Sequence, residues 1–287
     1  MSIVVTGATG HLGRLVVEQL LAAGTPAGEI AAAVRTKEKA VGLAEQGVEL
    51  RIADYDAPET LTGAFTEGDR VLLISGNEVG RRAAQHQAVI DAAKAAGVAR
   101  LAYTGVLGGP GADFQLAAEH KATEQAILGS GLPYTFLRNG WYTENYTDNL
   151  APVLEHGAVV GNAGDGRVAS AARADYAAAA AAVLTGEGHL GRAYELSGDT
   201  AWSFAEYAAE VAKQTGKDIT YNVVSAEANR QILAAAGLAE GFAAILVDVD
   251  RAIERGLLAH RNGDLARLIG RPTTPLADTV AEALTKQ

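Results

Sequence analysis

Residues 3–13 read Ile3-Val4-Val5-Thr6-Gly7-Ala8-Thr9-Gly10-His11-Leu12-Gly13, a short β-branched run that breaks into a glycine loop. From His11 to Ala23 the side chains of Leu12, Leu15, Val16, Leu20 and Leu21 then fall at helical spacing on one side. Strand, glycine turn and helix, in that order, are the setting a dinucleotide-binding turn requires. Gly7 allows the tight turn, Gly10 lets the backbone approach a pyrophosphate with no Cβ in the way, and Gly13 permits close packing of helix on strand. The helix N-terminus offers free N–H groups and a positive dipole end to the phosphates. Gly7, Ala8, Thr9, Gly10, His11, Leu12 and Gly13 are therefore expected to hold a dinucleotide.

The alternation continues for about 140 residues at roughly 30 residues per strand–helix unit. Strands are expected at Ser2–Thr6, Ile30–Val34, Val48–Ala53, Arg70–Ser75, Arg100–Thr104 and Tyr134–Arg138. Helices are expected over Lys37–Gln46, Pro58–Phe65, Arg81–Ala96 and Leu116–Leu128, the last two stopped by Gly97 and Gly131. Ile3–Val5, Val71–Ile74 and Leu101–Tyr103 are nearly continuous apolar runs, as parallel strands covered on both faces must be. The expected fold is α/β, a doubly wound parallel sheet. After Arg138 the rhythm changes. A Gly161–Gly166 turn cluster, an alanine-rich helix at Ala172–Leu184 and a strand at Ala193–Leu196 follow, and Phe204–Thr215, Ile219–Val224 and the helical stretches to Gln287 then suggest a small appended α+β region. The expected division is 1–150 for the nucleotide and 151–287 for the substrate side, partly interleaved, since no linker rich in Pro or Ser separates them.

Composition narrows the function. The 287 residues are 48% hydrophobic, with 24 Lys+Arg against 34 Asp+Glu and a net charge of −10. An acidic chain without a basic run has no electrostatic footprint for nucleic acid or an anionic membrane. The absence of cysteine removes disulfides, thiolate nucleophiles, iron–sulfur ligation and thiolate zinc sites. Histidines stand at 11, 86, 120, 156, 189 and 260, never at a ligand spacing such as i, i+4, so no metal is expected. The apolar run Ala177–Leu184 is too short for a bilayer, which needs roughly 20 residues. A first strand at Ser2 leaves no stretch for a signal peptide, and a cytoplasmic location is expected. A homo-oligomer is compatible with the sequence and not required by it.

The end of the second strand selects the cofactor. Asp or Glu there would bind ribose hydroxyls, whereas a 2′-phosphate calls for a cation. The chain has Val34-Arg35-Thr36-Lys37, with no acid until Glu38. Arg35 can stack on adenine and hold the phosphate bidentately with Thr36 or Lys37 assisting, and NADPH is the expected cofactor. Further contacts are expected beyond other strands, at Ser75, Gly76 and Asn77 and at Asn139 and Gly140. Asp54 fits either the adenine edge or a simple helix cap.

Short-chain dehydrogenases, which share the GxxGxxG spacing, pair a serine after the fifth strand with Tyr-x-x-x-Lys on the following helix. Tyrosine protonates the carbonyl oxygen and lysine lowers its pKa. Here the strand runs Ala102-Tyr103-Thr104-Gly105, so the serine position falls on Gly105 or is displaced to Thr104, and the position four before Lys121 is Ala117. The acid is absent, and a lone His120 is not assigned that role. A ketone becoming an alkoxide needs an acid close by. A quinone becoming a delocalised hydroquinone anion does not, and positioning can supply most of the catalysis. A protein that only senses NADP(H) would also lack the acid.

With Gly7–Gly13, Arg35, Leu73-Ile74-Ser75, Glu119-His120, Thr123-Glu124 and Leu137-Arg138-Asn139-Gly140-Trp141-Tyr142, the chain resembles the NmrA-like atypical short-chain dehydrogenases. Within them it is similar to the bacterial type 2 NAD(P)H:quinone oxidoreductases and, next, to the triphenylmethane dye reductases. The resemblance extends over Glu78-Val79-Gly80, Gln85-His86, Glu144-Asn145-Tyr146, Ala163–Gly166 and Arg173–Ala177. It implies a flavin-free, NADPH-dependent two-electron reduction of quinones. It also implies cofactor contacts at Asn139, Gly140, Trp141, Tyr142, Thr143 and Glu144, with Ser170 approaching from the second region. Trp141 and Tyr142 could wall a flat acceptor or simply pack between the two regions. Tyr103-Thr104-Gly105 is closer to the dye reductases. Three readings stay open: a quinone reductase, a reductase of dyes or other conjugated acceptors, and an NADP(H)-sensing regulator.

Overall fold

The computed structural model describes every residue but Asn149 and Gln287. Its strands are β1 (Ile3–Thr6), β2 (Ile30–Val34), β3 (Glu49–Ile52), β4 (Arg70–Leu73), β5 (Arg100–Val106) and β6 (Tyr134–Asn139). These are followed by β7 (Ala158–Gly161), β8 (Arg167–Val168), β9 (Arg192–Leu196), β10 (Trp202–Ser203) and β11 (Thr220–Val223). The helices through the first part are α1 (His11–Ala22), α2 (Val41–Glu45), α3 (Pro58–Leu61), α4 (Arg82–Ala96), α5 (Ala117–Ser130), α6 (Glu144–Thr147) and α7 (Ala151–His156). The rest are α8 (Arg173–Thr185), α9 (Phe204–Thr215), α10 (Ala226–Ala235), α11 (Glu240–Glu254), α12 (Asp264–Ile269) and α13 (Leu276–Leu284).

Seven strands form one sheet in the order β3-β2-β1-β4-β5-β6-β9, and every neighbouring pair is parallel. This is the doubly wound Rossmann arrangement. The order reverses between β1 and β4, so a crevice opens at the carboxyl ends there. β2 and β5 are buried along their whole length, which explains why no polar alternation interrupts them.

One face of the sheet is covered by α1 and α8. Val16, Val17 and Leu20 share a buried cluster with Ala177, Ala179, Ala180 and Ala181. The alanine tract lets the two helices approach closely, since small side chains set a short interaxial distance. Leu61 of α3, Val89 and Ile90 of α4 and Ile127 of α5 line the opposite face. Arg70 and Arg100 reach from the amino ends of β4 and β5 to the Leu184 carbonyl, at 3.0 and 2.8 Å, and so cap the end of α8.

The strand expected at 193–196 belongs to the main sheet: as β9 it pairs with β6 and forms the seventh strand. The stretch from Gly140 to Ala172, inserted between β6 and α8, hides this continuation of the strand–helix rhythm. Several boundaries also shift: β4 stops at Leu73, leaving Ser75 in the turn, the helix expected at 37–46 starts as a 3-10 turn at Lys37–Ala40, the one expected at 58–65 ends at Leu61, and β5 runs on to Val106.

A second core holds Trp202, Phe204, Tyr207, Val211, Ile253 and Val280, together with Val106 and Leu107. Because Val106 ends β5, this body stands over the carboxyl ends of β5 and β6. It carries two small sheets, β7 with β11 in parallel and β8 with β10 antiparallel. Ser203 and Glu206 close a reciprocal capping box at the start of α9. Among the described residues no helix is long and apolar enough to cross a membrane.

Candidate active site

The glycine loop leaves the crevice end of β1 and closes on itself, with the Gly10 N–H donating to the Gly7 carbonyl at 2.9 Å. Gly7 stands at φ +58°, a left-handed turn that favours glycine. Gly13 is required by space: a Cβ there would lie 2.8 Å from the Ala8 Cα. Gly10 differs from both. Its backbone is extended, at φ −77° and ψ 170°, and a Cβ would meet only the Gly7 carbonyl oxygen, at 3.2 Å. No side chain caps α1 behind it. The first-turn N–H groups thus face an open rim without a protein side chain, which fits the pyrophosphate of a dinucleotide.

The Thr6 hydroxyl braces this loop. It donates to the Leu72 carbonyl at 3.0 Å and accepts from the Ile74 N–H at 3.0 Å and the Tyr55 hydroxyl at 2.5 Å. The ends of β1 and β4 and the turn after β3 are so tied together. Arg35 follows β2 and is exposed, as are residues 36–39. Asp54 curls onto its own turn, accepting from the Asp56 N–H at 3.1 Å, so its carboxylate is engaged locally.

Beyond β4, the Ser75 N–H donates to the Thr104 hydroxyl at 2.9 Å. Gly76 is held on both sides of its backbone: its N–H donates to His86 Nε2 at 2.9 Å, and its carbonyl accepts from Arg82 Nε at 2.5 Å. Asn77 is exposed. Across the crevice the Asn139 side chain is buried, its amide donating weakly to the Tyr142 hydroxyl at 3.4 Å while its Oδ1 has no partner. A buried carbonyl oxygen without a donor marks a place where a ligand amide or hydroxyl fits. The Gly140 N–H is spent on the Leu196 carbonyl at 2.7 Å.

The residues after Gly140 join the two bodies. Trp141 to Thr143 runs beside Ser170 to Ala172, with Thr143 N–H donating to the Ala171 carbonyl at 3.0 Å. The Ser170 hydroxyl contacts the Thr143 hydroxyl at 2.8 Å and accepts from the Trp202 indole at 3.0 Å. The Glu144 carboxylate accepts from the Arg173 N–H at 2.8 and 3.0 Å and thereby caps α8. Burial pushes its carboxyl above the usual range, and the same N–H contact opposes that. The Arg173 guanidinium lies 5.4 Å from the Tyr142 ring centre, a cation–π distance. The polar groups of Thr143, Glu144 and Ser170 are therefore engaged within the protein, whereas the glycine loop, Arg35, Asn77 and Asn139 Oδ1 face outward or lack partners.

Where a proton donor would stand, the groups are paired with one another. Of the two positions where the serine could stand, Gly105 has little room for a side chain, since a Cβ there would lie 3.2 Å from Glu124 Oε1, and the Thr104 hydroxyl accepts from the Ser75 N–H. Arg138 grips Glu124 bidentately at 2.9 and 2.8 Å and reaches Glu195 at 2.8 Å. Glu124 foremost, with Glu195, holds the guanidinium above its ordinary pKa. His120 Nδ1 lies 2.7 Å from the buried Tyr103 hydroxyl. Burial, aided by Arg82 and His86, pushes His120 down to about 3, and burial foremost raises Tyr103 well above its usual value, against the pull of the Thr123 contact and Arg82. Neither is poised to exchange a proton near neutrality.

Sequence reasoning missed Tyr55, Arg82 and His86 as parts of this site. Tyr55 and His86 contact hydroxyl groups 49 and 37 residues away, and Arg82 turns back on a backbone carbonyl six residues before it, none of which spacing alone reveals.

A family profile described as NAD(P)H-binding matches residues 7–187. The chain is 48% identical over 279 residues to quinone oxidoreductase 2 of Escherichia coli (strain K12), covering 97% of both chains. The crystal structure of an NADPH-dependent quinone oxidoreductase from Escherichia coli complexed with NADPH superimposes with a TM-score of 0.95 at 48% identity, over 98% of this chain and 99% of that one. Triphenylmethane reductase of Citrobacter sp., complexed with NADP(H), gives a TM-score of 0.94 at 44% identity, over 98% of this chain and all of the other. These relatives bear out the resemblance read from the sequence, and the chain belongs to the NAD(P)H-binding family.

Proposed function

We propose that the protein is an NADPH-dependent quinone reductase that works without flavin. The observation that carries this reading is the self-paired chemistry beside the crevice. Arg138 is engaged with Glu124 and Glu195, and Tyr103 with His120, so none of these five groups is free to protonate an alkoxide. An acceptor that spreads its new charge over a ring needs no such donor. The full-length similarity to a quinone oxidoreductase supports the same acceptor class.

When bound, the dinucleotide supplies two electrons as a hydride. The protein's part is to bind and orient. The N–H groups of the 7–13 loop take the pyrophosphate, and Arg35, with Thr36 or Lys37, takes the 2′-phosphate. The Ser75–Asn77 turn and Asn139 support the nicotinamide half. Trp141 and Tyr142 offer aromatic surface to a flat acceptor, and water then protonates the product. In this reading residues 1–150 carry the nucleotide and 151–287 the acceptor side, except that α8 and β9 return to the sheet. The expected setting is cytoplasmic, with a small conjugated molecule as partner.

Similarity to triphenylmethane reductase supports a second acceptor, the cationic dyes. Steady-state NADPH oxidation with 1,4-benzoquinone and with a triarylmethane dye, on protein free of flavin absorbance, tests both. Sustained quinone turnover is expected. Tight NADPH binding with no oxidation across a panel of quinones and dyes would leave only a sensor.

A further inference from the structure

We propose that His86, with Arg82, is a positioning residue that clamps Gly76 from beneath and pre-forms the turn that receives the nicotinamide half of the cofactor. The inference rests on the NADPH-binding reading above and adds to it side chains of α4 and α5 that act through the Gly76 backbone.

The clamp follows from hydrogen-bond roles. A backbone N–H only donates, so His86 Nε2, 2.9 Å from the Gly76 nitrogen, is the acceptor and carries no proton. The ring's proton then sits on Nδ1, 2.8 Å from the Thr123 hydroxyl. Thr123 in turn donates to the Glu119 carbonyl one helical turn back, at 2.9 Å. Every donor has one acceptor, and the chain of contacts fixes the imidazole as the neutral Nδ1–H form. It runs from the backbone of α5, through α4, to the crevice turn after β4.

Arg82 secures the other side of the same peptide. It is only 7% exposed, and among the described residues no carboxylate lies within ion-pair distance of it. Burying a guanidinium without a paired carboxylate is costly, and its use is visible in the contact from Nε to the Gly76 carbonyl. The Gln85 amide oxygen closes the remaining space, 3.0 Å from where a Gly76 Cβ would stand. Three consecutive inward positions at the start of α4 thus hold a single glycine peptide. Ser75, next to it, is fixed by Thr104 at 2.9 Å. A turn held this firmly costs little ordering entropy when ligand arrives.

The test uses two probes and two variants. NADPH spans the crevice, whereas 2′,5′-ADP reports only the Arg35 end. In His86→Leu, NADPH affinity is expected to fall on the order of tenfold, because the Gly76 N–H loses its acceptor and the turn its pre-formed shape. Affinity for 2′,5′-ADP should stay within about twofold. His86→Gln restores an oxygen near the Nε2 position and should recover most of the loss. Unchanged NADPH affinity in His86→Leu, or an equal loss for both probes, would overturn the proposal. The 15N spectrum of the wild-type protein checks it without any variant: Nδ1 of His86 must be protonated and Nε2 bare, and the opposite tautomer also overturns it. If the cofactor reading itself were wrong, the wild-type protein would bind neither probe, a result distinct from every variant outcome.

Discussion

Two glycines of the same loop should fail in different ways when given a methyl group. At Gly13 an added Cβ would lie 2.8 Å from both the Ala8 Cα and the Gly7 carbonyl carbon, where ordinary contact begins near 3.4 Å. The loop or α1 must give way by at least 0.6 Å, the difference of those two distances, and by more at the Gly7 carbonyl oxygen, which lies nearer still to the added Cβ; all three neighbours are backbone. Overpacking of this kind costs about 1–3 kcal/mol, which for a chain of this size lowers Tm by several °C. A displacement of that size also exceeds the width of the useful N–H···O distance window, roughly 2.7–3.2 Å, so NADPH binding should weaken at least about tenfold. At Gly10 the extended backbone suits any residue, and only one protein atom lies near, at 3.2 Å. Gly10→Ala should therefore lose about 1 kcal/mol or less, from the poorer helix cap. Its methyl group, however, stands on the rim proposed for the pyrophosphate, so its NADPH affinity should fall as far as that of Gly13→Ala. Thermal unfolding without ligand, set beside NADPH titration by fluorescence, separates the two. Gly10→Ala that keeps wild-type affinity, or Gly13→Ala that keeps wild-type Tm, would refute the reasoning.

Arg35→Asp removes the cation proposed for the 2′-phosphate. A hydrogen bond to a charged group is worth about 1.5–3 kcal/mol, so NADPH should weaken roughly 10- to 100-fold relative to NADH; an unchanged preference counts against the assignment. Stability should also vary with pH in a defined direction. Burial pushes His86 down to about 4 and His120 to about 3, so both stay neutral when folded and each takes up a proton on unfolding once pH falls below the usual histidine value. Their contribution is present above that value, near pH 6.5, and is lost on acidification toward pH 4. Asp250 works in the opposite sense. Burial raises it to about 6, so its contribution is present at low pH and lost as pH rises from about 4 to 6. Asp250→Asn removes that opposing term and should make urea stability fall more steeply between pH 6.5 and 4. An unaltered slope would show that Asp250 titrates normally.

How far the sequence revealed this depended on range. Ile3–Thr6, Ile30–Val34 and Arg100–Val106 were legible because parallel strands covered on both faces are apolar throughout, whatever surrounds them. The glycine loop and Arg35 were legible because their chemistry is local to one turn. β9 was recognised as a strand but not as a member of the sheet. It is an edge strand, exposed at Arg192 and Ala193 and buried only at Leu196, and the Gly140–Ala172 insertion separates it from β6. The clamp on Gly76 was invisible for another reason. Residues 76, 86 and 123 meet only when α4 and α5 pack side by side, and nothing in the spacing of three unlike residues encodes a hydrogen bond to a backbone N–H.

The absent acid has the same long-range character, and it explains more than a missing tyrosine does. Gly105, Arg138 and Glu195 are register neighbours across β5, β6 and β9, and Glu124 reaches into that row from α5. A serine at 105 would crowd the Glu124 carboxylate, and Glu124 is what neutralises Arg138 in its half-buried place. Glu195 then uses its second oxygen to hold the Gly108 N–H at 2.7 Å, fixing the loop that leads from the sheet to the second body. Removing one partner from such a pair leaves a poorly solvated charge behind, at a cost of about 3–5 kcal/mol when burial is complete. What replaces the acid is a structural ion row spanning three strands and a helix. In the reaction proposed above, the acceptor would then carry its own negative charge until water protonates it, a demand that a quinone ring meets and a simple ketone does not.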